Sequence, residues 1–300
     1  MQMKSCMEVV TISILGYYLL PHPPIVLPEV GKGEENKIKR TKAAFNRIGQ
    51  EIAEKAPRVI ILITPHGTMF QDVISLSYED TIQGDMARFR APSVSMEIPI
   101  HKPLTRRIYD ISRQDGIATV LSTNSFLRRY NASVFLDHGA IVPLYFINQY
   151  YKDYKLVHIT YAPFGDMDLY KFGIAIRRAV DEQNETAVLI ASGDLSHRLK
   201  EDGPYDYSPL GEKFDKEFLH YLKQGDAAAV FRMDRETIRE AGECGRNSTI
   251  ILLGALEGCK FHCELLSYEG TVCVGYGIMR LQVVSQGPSQ LHLLEEIRKG

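Results

Sequence analysis

Four of the nine histidines sit on turns where an α/β chain places its chemistry. His22 lies in Pro21-His22-Pro23-Pro24, His66 in Thr64-Pro65-His66-Gly67, and His138 in Leu136-Asp137-His138-Gly139. His197 closes Ser192-Gly193-Asp194-Leu195-Ser196-His197. Three of them follow apolar segments ending at Leu20, Thr64 and Ser192, and His138 directly precedes a helical pattern. Ligands of α/β sheets bind beyond the carboxyl ends of the strands, so these turns can share one site. Any one of them alone reads as an ordinary turn histidine; four in such positions read as a constellation. Neutral imidazoles with one carboxylate suit Fe(II), Mn(II) or Zn(II) and leave coordination positions open. Two such histidines and a carboxylate would leave a divalent ion with one net positive charge, matching a monoanionic catecholate. The two remaining histidines would then serve as base and acid.

The other polar candidates are weaker. His101, His220, His262 and His292 lack turn context and read as surface residues, whereas His158 lies within a strand and reads as a hydrogen-bonded core or near-site residue. The segment 84–92 reads as a mobile loop near the site. Its Arg88 and Arg90 read first as solvated, with either able to hold a substrate carboxylate or phosphate. Cys259, Cys263 and Cys273 are spaced wrongly for a zinc knuckle and read as small hydrophobes.

The elements that must position these residues alternate along the chain. Apolar runs at 11–20, 59–64, 73–77, 155–161, 187–192, 263–268 and 274–284 predict strands. Amphipathic or apolar segments at 34–56, 104–114, 140–150, 168–182, 214–223, 234–241 and 248–256 predict helices. In 34–56 the stripe is Ile38, Phe45, Ile48, Ile52 and Ala56. No repeat or linker divides the chain before about 284. The expectation is therefore one α/β domain over 1–284 with a central mixed sheet flanked by helices. Residues 285–300 read as a linker or short terminal helix.

Composition narrows the function classes. The 300 residues are 45% hydrophobic and 24% charged, with a formal net charge of −2 spread evenly. No basic stripe favours nucleic acid or an anionic membrane. The longest apolar run, 9–24, falls short of the roughly 20 apolar residues of a membrane helix. Residues 1–7 lack the features of a signal peptide. Five cysteines without CxxC spacing point to reduced thiols, hence a cytoplasmic protein.

With Ala241-Gly242-Glu243-Cys244-Gly245-Arg246 added, these motifs resemble in order and spacing the class III extradiol ring-cleavage dioxygenases of catalytic B subunit type, over roughly 11–284. Within that superfamily the chain looks like the microbial branch associated with AMMECR-type domains and radical SAM proteins, to which Memo proteins are related. The resemblance implies His22, His66 and Glu243 as metal ligands, His138 and His197 as acid/base histidines, and Fe(II) as the cofactor. It also implies a catechol-like or other bidentate substrate with dioxygen, a homodimer, and possible AMMECR-type and radical SAM partners. Asp194 reads as a residue that orients its own turn. One departure stands out: the dioxygenases follow the ligand glutamate with tryptophan, and this chain has none. Glu243-Cys244-Gly245-Arg246 looks more like the Memo pattern, in which cysteine is the ligand. Glu243 leads as third ligand, Cys244 is the alternative, and Glu240 is a remote third. A thiolate would turn the site toward Zn(II) or Cu. Three function classes follow: an oxygenase, a Memo-like metal-binding protein, and a metal-dependent hydrolase.

Overall fold

The computed structural model describes residues 13–299. The expectations placed on 1–7 and on the first two residues of the opening strand lie outside the described residues. The sheet is built by runs that bury every side chain: β1 (Ile14–Leu20) nearly throughout, and β2 (Val59–Thr64) and β8 (Ala187–Ser192) completely. Strands covered on both faces require such runs. The remaining strands are β3 (Ile74–Ser77), β4 (Thr81–Met86), β5 (Ala91–Pro99), β6 (Thr119–Ser122), β7 (Lys155–Thr160), β9 (Cys259–Glu269) and β10 (Tyr276–Gln286). Eight of them form one sheet in the order β6-β3-β7-β2-β8-β1-β10-β9. The sheet is mixed: β7, β2, β8 and β1 run parallel, while β3 opposes β7 and β10 opposes both β1 and β9.

Alternation along each strand divides the interior into two cores. Tyr17, Leu19, Ile61 and Ile63 face the helices Lys102–Gln114, Asp166–Gln183 and Arg246–Ala255. Tyr18, Leu20, Ile60 and Leu62 face the helices Lys39–Lys55 and His138–Ile147. Register pairs Leu20 with Ser192 and Ile63 with Ala191. The chain segments that carry His22, His66 and His197 therefore leave the same edge of the sheet.

The structure departs from the sequence expectations in several places, beginning with the unexpected strand β6. Residues 34–38 form a 3-10 turn before the helix Lys39–Lys55, with Ile38 outside helical dihedrals. The segment expected as a mobile loop is the turn of a β4–β5 hairpin, and Arg90 takes the left-handed backbone that closes it. His101 is buried rather than on the surface. Its Nδ1 accepts the Leu104 amide at 3.1 Å, capping Lys102–Gln114, and its Nε2 lies 3.2 Å from Glu185. Finally, β10 continues to Gln286. The short terminal helix among the expectations for the tail is present as Leu291–Lys299, with Leu294 buried completely. Among the described residues no helix is long and apolar enough to cross a membrane.

Candidate metal centre

Each histidine is aimed by a different device. His22 leaves β1 on Pro21, and its amide donates to Asp194 Oδ1 at 2.7 Å. Its ring is buried, with Nδ1 2.9 Å from Ser192 Oγ. The His66 amide donates to Thr64 Oγ1 at 3.2 Å, and the Thr64 hydroxyl donates to Asp137 Oδ1 at 2.6 Å. Asp137 Oδ2 lies 3.0 Å from His158 Nε2, whose Nδ1 lies 2.9 Å from Ser77 Oγ. This buried chain underlies His66 and the start of the His138 helix. Burial alone would raise the Asp137 carboxyl, but hydrogen bonding and charge from His158, with the Thr64 hydroxyl, bring it down to about 2.

Three rings converge. The Nε2 atoms of His22 and His66 are 3.0 Å apart. The ring of His138 stacks on His66 at 4.2 Å and meets His22 edge-on at 5.3 Å. One nitrogen from each of the three lies within 4.8 Å of the others. His197 approaches from the β8 side, its ring against Tyr205.

The pair 243–244 divides its roles. Glu243 Oε2 accepts the Arg246 amide at 2.6 Å, at the start of the helix Arg246–Ala255. Neither its carboxylate nor the Cys244 thiol belongs to the group of ligand atoms within 4.8 Å of one another, which His22, His66 and His138 alone form among the described residues. Cys244 Sγ instead lies 3.6 Å from His22 Nε2 and 3.9 Å from His197 Nε2, and it accepts the Asp194 amide at 3.3 Å. Backbone contact delivers it. The Cys244 amide donates to Asp194 O at 3.2 Å, and a Cβ on Gly193 would stand 2.1 Å from Gly245 Cα. Asp194 thus braces the His22 and Cys244 turns, where the sequence pointed only to its own. Glu240 holds Arg198 at 2.8 Å.

Electrostatics leave the cluster neutral. Burial lowers His22, His66 and His197 below the usual histidine range and takes His138 to about 3, where His22, His66 and Arg88 add to the effect. All four rings therefore present unprotonated nitrogens at pH 7. Burial pushes Asp194 up to about 6 and Glu243 to about 7, and it raises the Cys244 thiol well above its ordinary value. A bound cation would reverse the last of these, because coordination deprotonates a thiol outright.

These atoms fit a metal. Over bond angles from about 90° to 109° at one ion, two imidazole nitrogens at about 2.1 Å stand about 3.0–3.4 Å apart, and a nitrogen and a thiolate at about 2.1 and 2.3 Å stand about 3.1–3.6 Å apart. The His22–His66 spacing of 3.0 Å and the His22–Cys244 spacing of 3.6 Å lie at opposite ends of those ranges.

Two aromatic residues missed in the sequence flank the cluster: Phe89 at the hairpin turn, 5.1 Å from the His138 ring, and Tyr205, 5.1 Å from His197. Neither has a local sequence signal, since both lie in irregular segments. A cavity of about 1130 Å³ lies elsewhere, against Asp166, Arg232 and Arg246, and contains none of the four histidines.

The strand ends of a mixed α/β sheet thus gather histidines and a thiol. The chain belongs to the family of the catalytic LigB subunit of aromatic ring-opening dioxygenases, whose family model matches residues 16–279. It is 60% identical over 287 residues to Protein CA_C1420 of Clostridium acetobutylicum, covering 96% of this chain and 61% of that protein. The chain thus spans 61% of the length of that relative. It is 24% identical over 306 residues to the 2-aminophenol 1,6-dioxygenase beta subunit of a Pseudomonas species, covering 91% and 95% of the two chains. A MEMO1 family protein of Methanococcoides burtonii is 24% identical over 152 residues, half of this chain (50%) and 52% of that one. In fold it is similar to the uncharacterized protein JW3007 from Escherichia coli K12, with a TM-score of 0.61, 15% identity, and coverage of 89% and 99%.

Proposed function

We propose that this chain holds one transition-metal ion on His22, His66 and Cys244, and that it acts there as a metal-dependent oxidoreductase on a small bidentate substrate. The observation that carries this reading is the split at 243–244. The thiol stands 3.6 Å from His22 Nε2, while the carboxylate expected as third ligand is engaged by the Arg246 amide. A sulfur ligand favours Cu or Zn(II) over the hard Fe(II) or Mn(II) set, as in the Memo-like alternative, and of the two only Cu would carry electrons, with dioxygen as the oxidant. The Memo resemblance also supports AMMECR-type and radical SAM proteins as partners.

When bound, the ion would polarise a substrate oxygen and ease its deprotonation. His138 and His197, both neutral at pH 7, are the groups in place to take up and return that proton. Phe89 and Tyr205 offer faces on which an aromatic substrate would lie. A second reading, extradiol ring cleavage with Fe(II), is favoured by the family and by two histidines flanking an imidazole pair.

Metal analysis of chelator-free preparations tests the first reading. The parent should carry close to one equivalent, and His22→Ala should lose it. An empty parent that also fails to bind added Zn(II), Cu or Fe(II) would overturn the proposal. Anaerobic loading with Fe(II), followed by catechols and oxygen, decides between the readings, because a yellow ring-cleavage product would establish the second.

A further inference from the structure

Ser192 ends β8 beside Leu20, directly across from the turn that carries His22. Its Oγ has two neighbours. It lies 2.9 Å from His22 Nδ1, and it donates to the Gly139 carbonyl at 2.5 Å. That carbonyl lacks its regular helical partner for a reason written in the sequence. The donor four residues on is Pro143, inside the helix His138–Ile147, and proline has no N–H. A carbonyl only accepts, so the single Ser192 proton is committed to it, and towards His22 the hydroxyl oxygen can only accept.

We infer that Ser192 is a positioning residue that holds His22 in the Nδ1–H tautomer, so that the Nε2 lone pair faces His66 and Cys244. Both atoms that anchor His22 come from the β8 end and its turn: Ser192 Oγ at the ring and Asp194 Oδ1 at the backbone amide. With the His22 Nε2 lone pair so placed, the 3.0 Å His22–His66 contact requires His66 Nε2 to be the donor in the metal-free chain. A ligating histidine whose other nitrogen donates to a fixed acceptor is oriented and made more basic, typically worth 10–100-fold in metal affinity. Only that consequence rests on the metal reading; the proton position belongs to the metal-free chain.

The test is nitrogen NMR of chelator-treated protein with ¹⁵N-labelled histidine at pH 7, the His22 signals being assigned from a His22→Gln spectrum. Zn(II) affinity is then measured by competition with a chromophoric chelator. The parent should show His22 protonated at Nδ1. Ser192→Ala should lose that bias and bind Zn(II) about 10–100-fold more weakly, and Ser192→Thr, which keeps the hydroxyl, should restore both. Protonation of parent His22 at Nε2 would overturn the inference even if neither Ser192 variant folds. So would a Ser192→Ala chain with parent-like tautomer and affinity. A parent with Nδ1–H but no Zn(II) binding would sink the metal reading while leaving the proton assignment standing.

Discussion

One peptide bond separates the two residues that compete for the metal, and their chemistry pulls in opposite directions. Neighbouring side chains do not share a face. The loop therefore chooses, and it commits Glu243 to the Arg246 amide while turning Cys244 to His22. Cys244→Ala should weaken Zn(II) binding at least 10-fold, whereas Glu243→Gln, which keeps an accepting oxygen for the Arg246 amide, should change it less than about 3-fold; competition titration reads both. His138→Phe and His197→Phe should leave metal content intact and cut turnover about 10²–10⁴-fold. Loss of metal in His138→Phe would move His138 among the ligands, as its place within 4.8 Å of the pair would permit. The histidines were legible because each follows a readable strand or opens a readable helix. The choice between Glu243 and Cys244 was not, since side-chain direction within an irregular turn depends on tertiary packing. One clue was available: an acidic residue just ahead of the apolar helix 246–255 is favoured there by the positive end of the helix dipole.

At the scale of elements, the site depends on backbone meeting backbone. Gly193 leaves no room for a side chain against Gly245, so Gly193→Ala must separate the β8 turn from the loop that carries Cys244. It should cost about 1–3 kcal/mol in denaturant unfolding and weaken metal binding together. Beneath the same turn, Asp215 accepts the Ser196 amide at 2.8 Å and the Tyr268 hydroxyl at 2.7 Å. Burial raises its carboxyl from 3.8 to about 7. Folded, it keeps its proton up to about pH 7, whereas unfolded it releases it near 3.8, so the folded chain binds more protons between those values. Stability therefore falls as pH rises through that window, by up to about 1.4 kcal/mol per unit. Asp215→Asn should flatten this slope in chelator-treated protein; an unchanged slope would show that another group sets it. The buried parallel strands were readable from continuous apolar runs. The β4–β5 hairpin was not, because it is half-exposed and its polar positions imitate a loop.

For the whole molecule, the proposed ligands lie on the turns after β1 and β2 and in the 243–246 loop, which are far apart in sequence and meet only in the folded chain. An ion held there binds the native state alone and must stabilise it, by about 2.7 kcal/mol at 100 times its Kd. Thermal unfolding with and without Zn(II) should differ by several degrees in the parent and by little in His22→Ala. The mixed sheet and the α/β class were legible from end to end. The terminal helix Leu291–Lys299, with Leu294 buried, is one of the two alternatives the sequence left open for the tail. The central claim, a centre of mixed nitrogen and sulfur, is tested most directly by X-ray absorption at the edge of the bound metal. The account predicts one sulfur at about 2.3 Å with nitrogen neighbours at about 2.0–2.1 Å. A shell of nitrogen and oxygen alone would contradict it and return Glu243 to the metal.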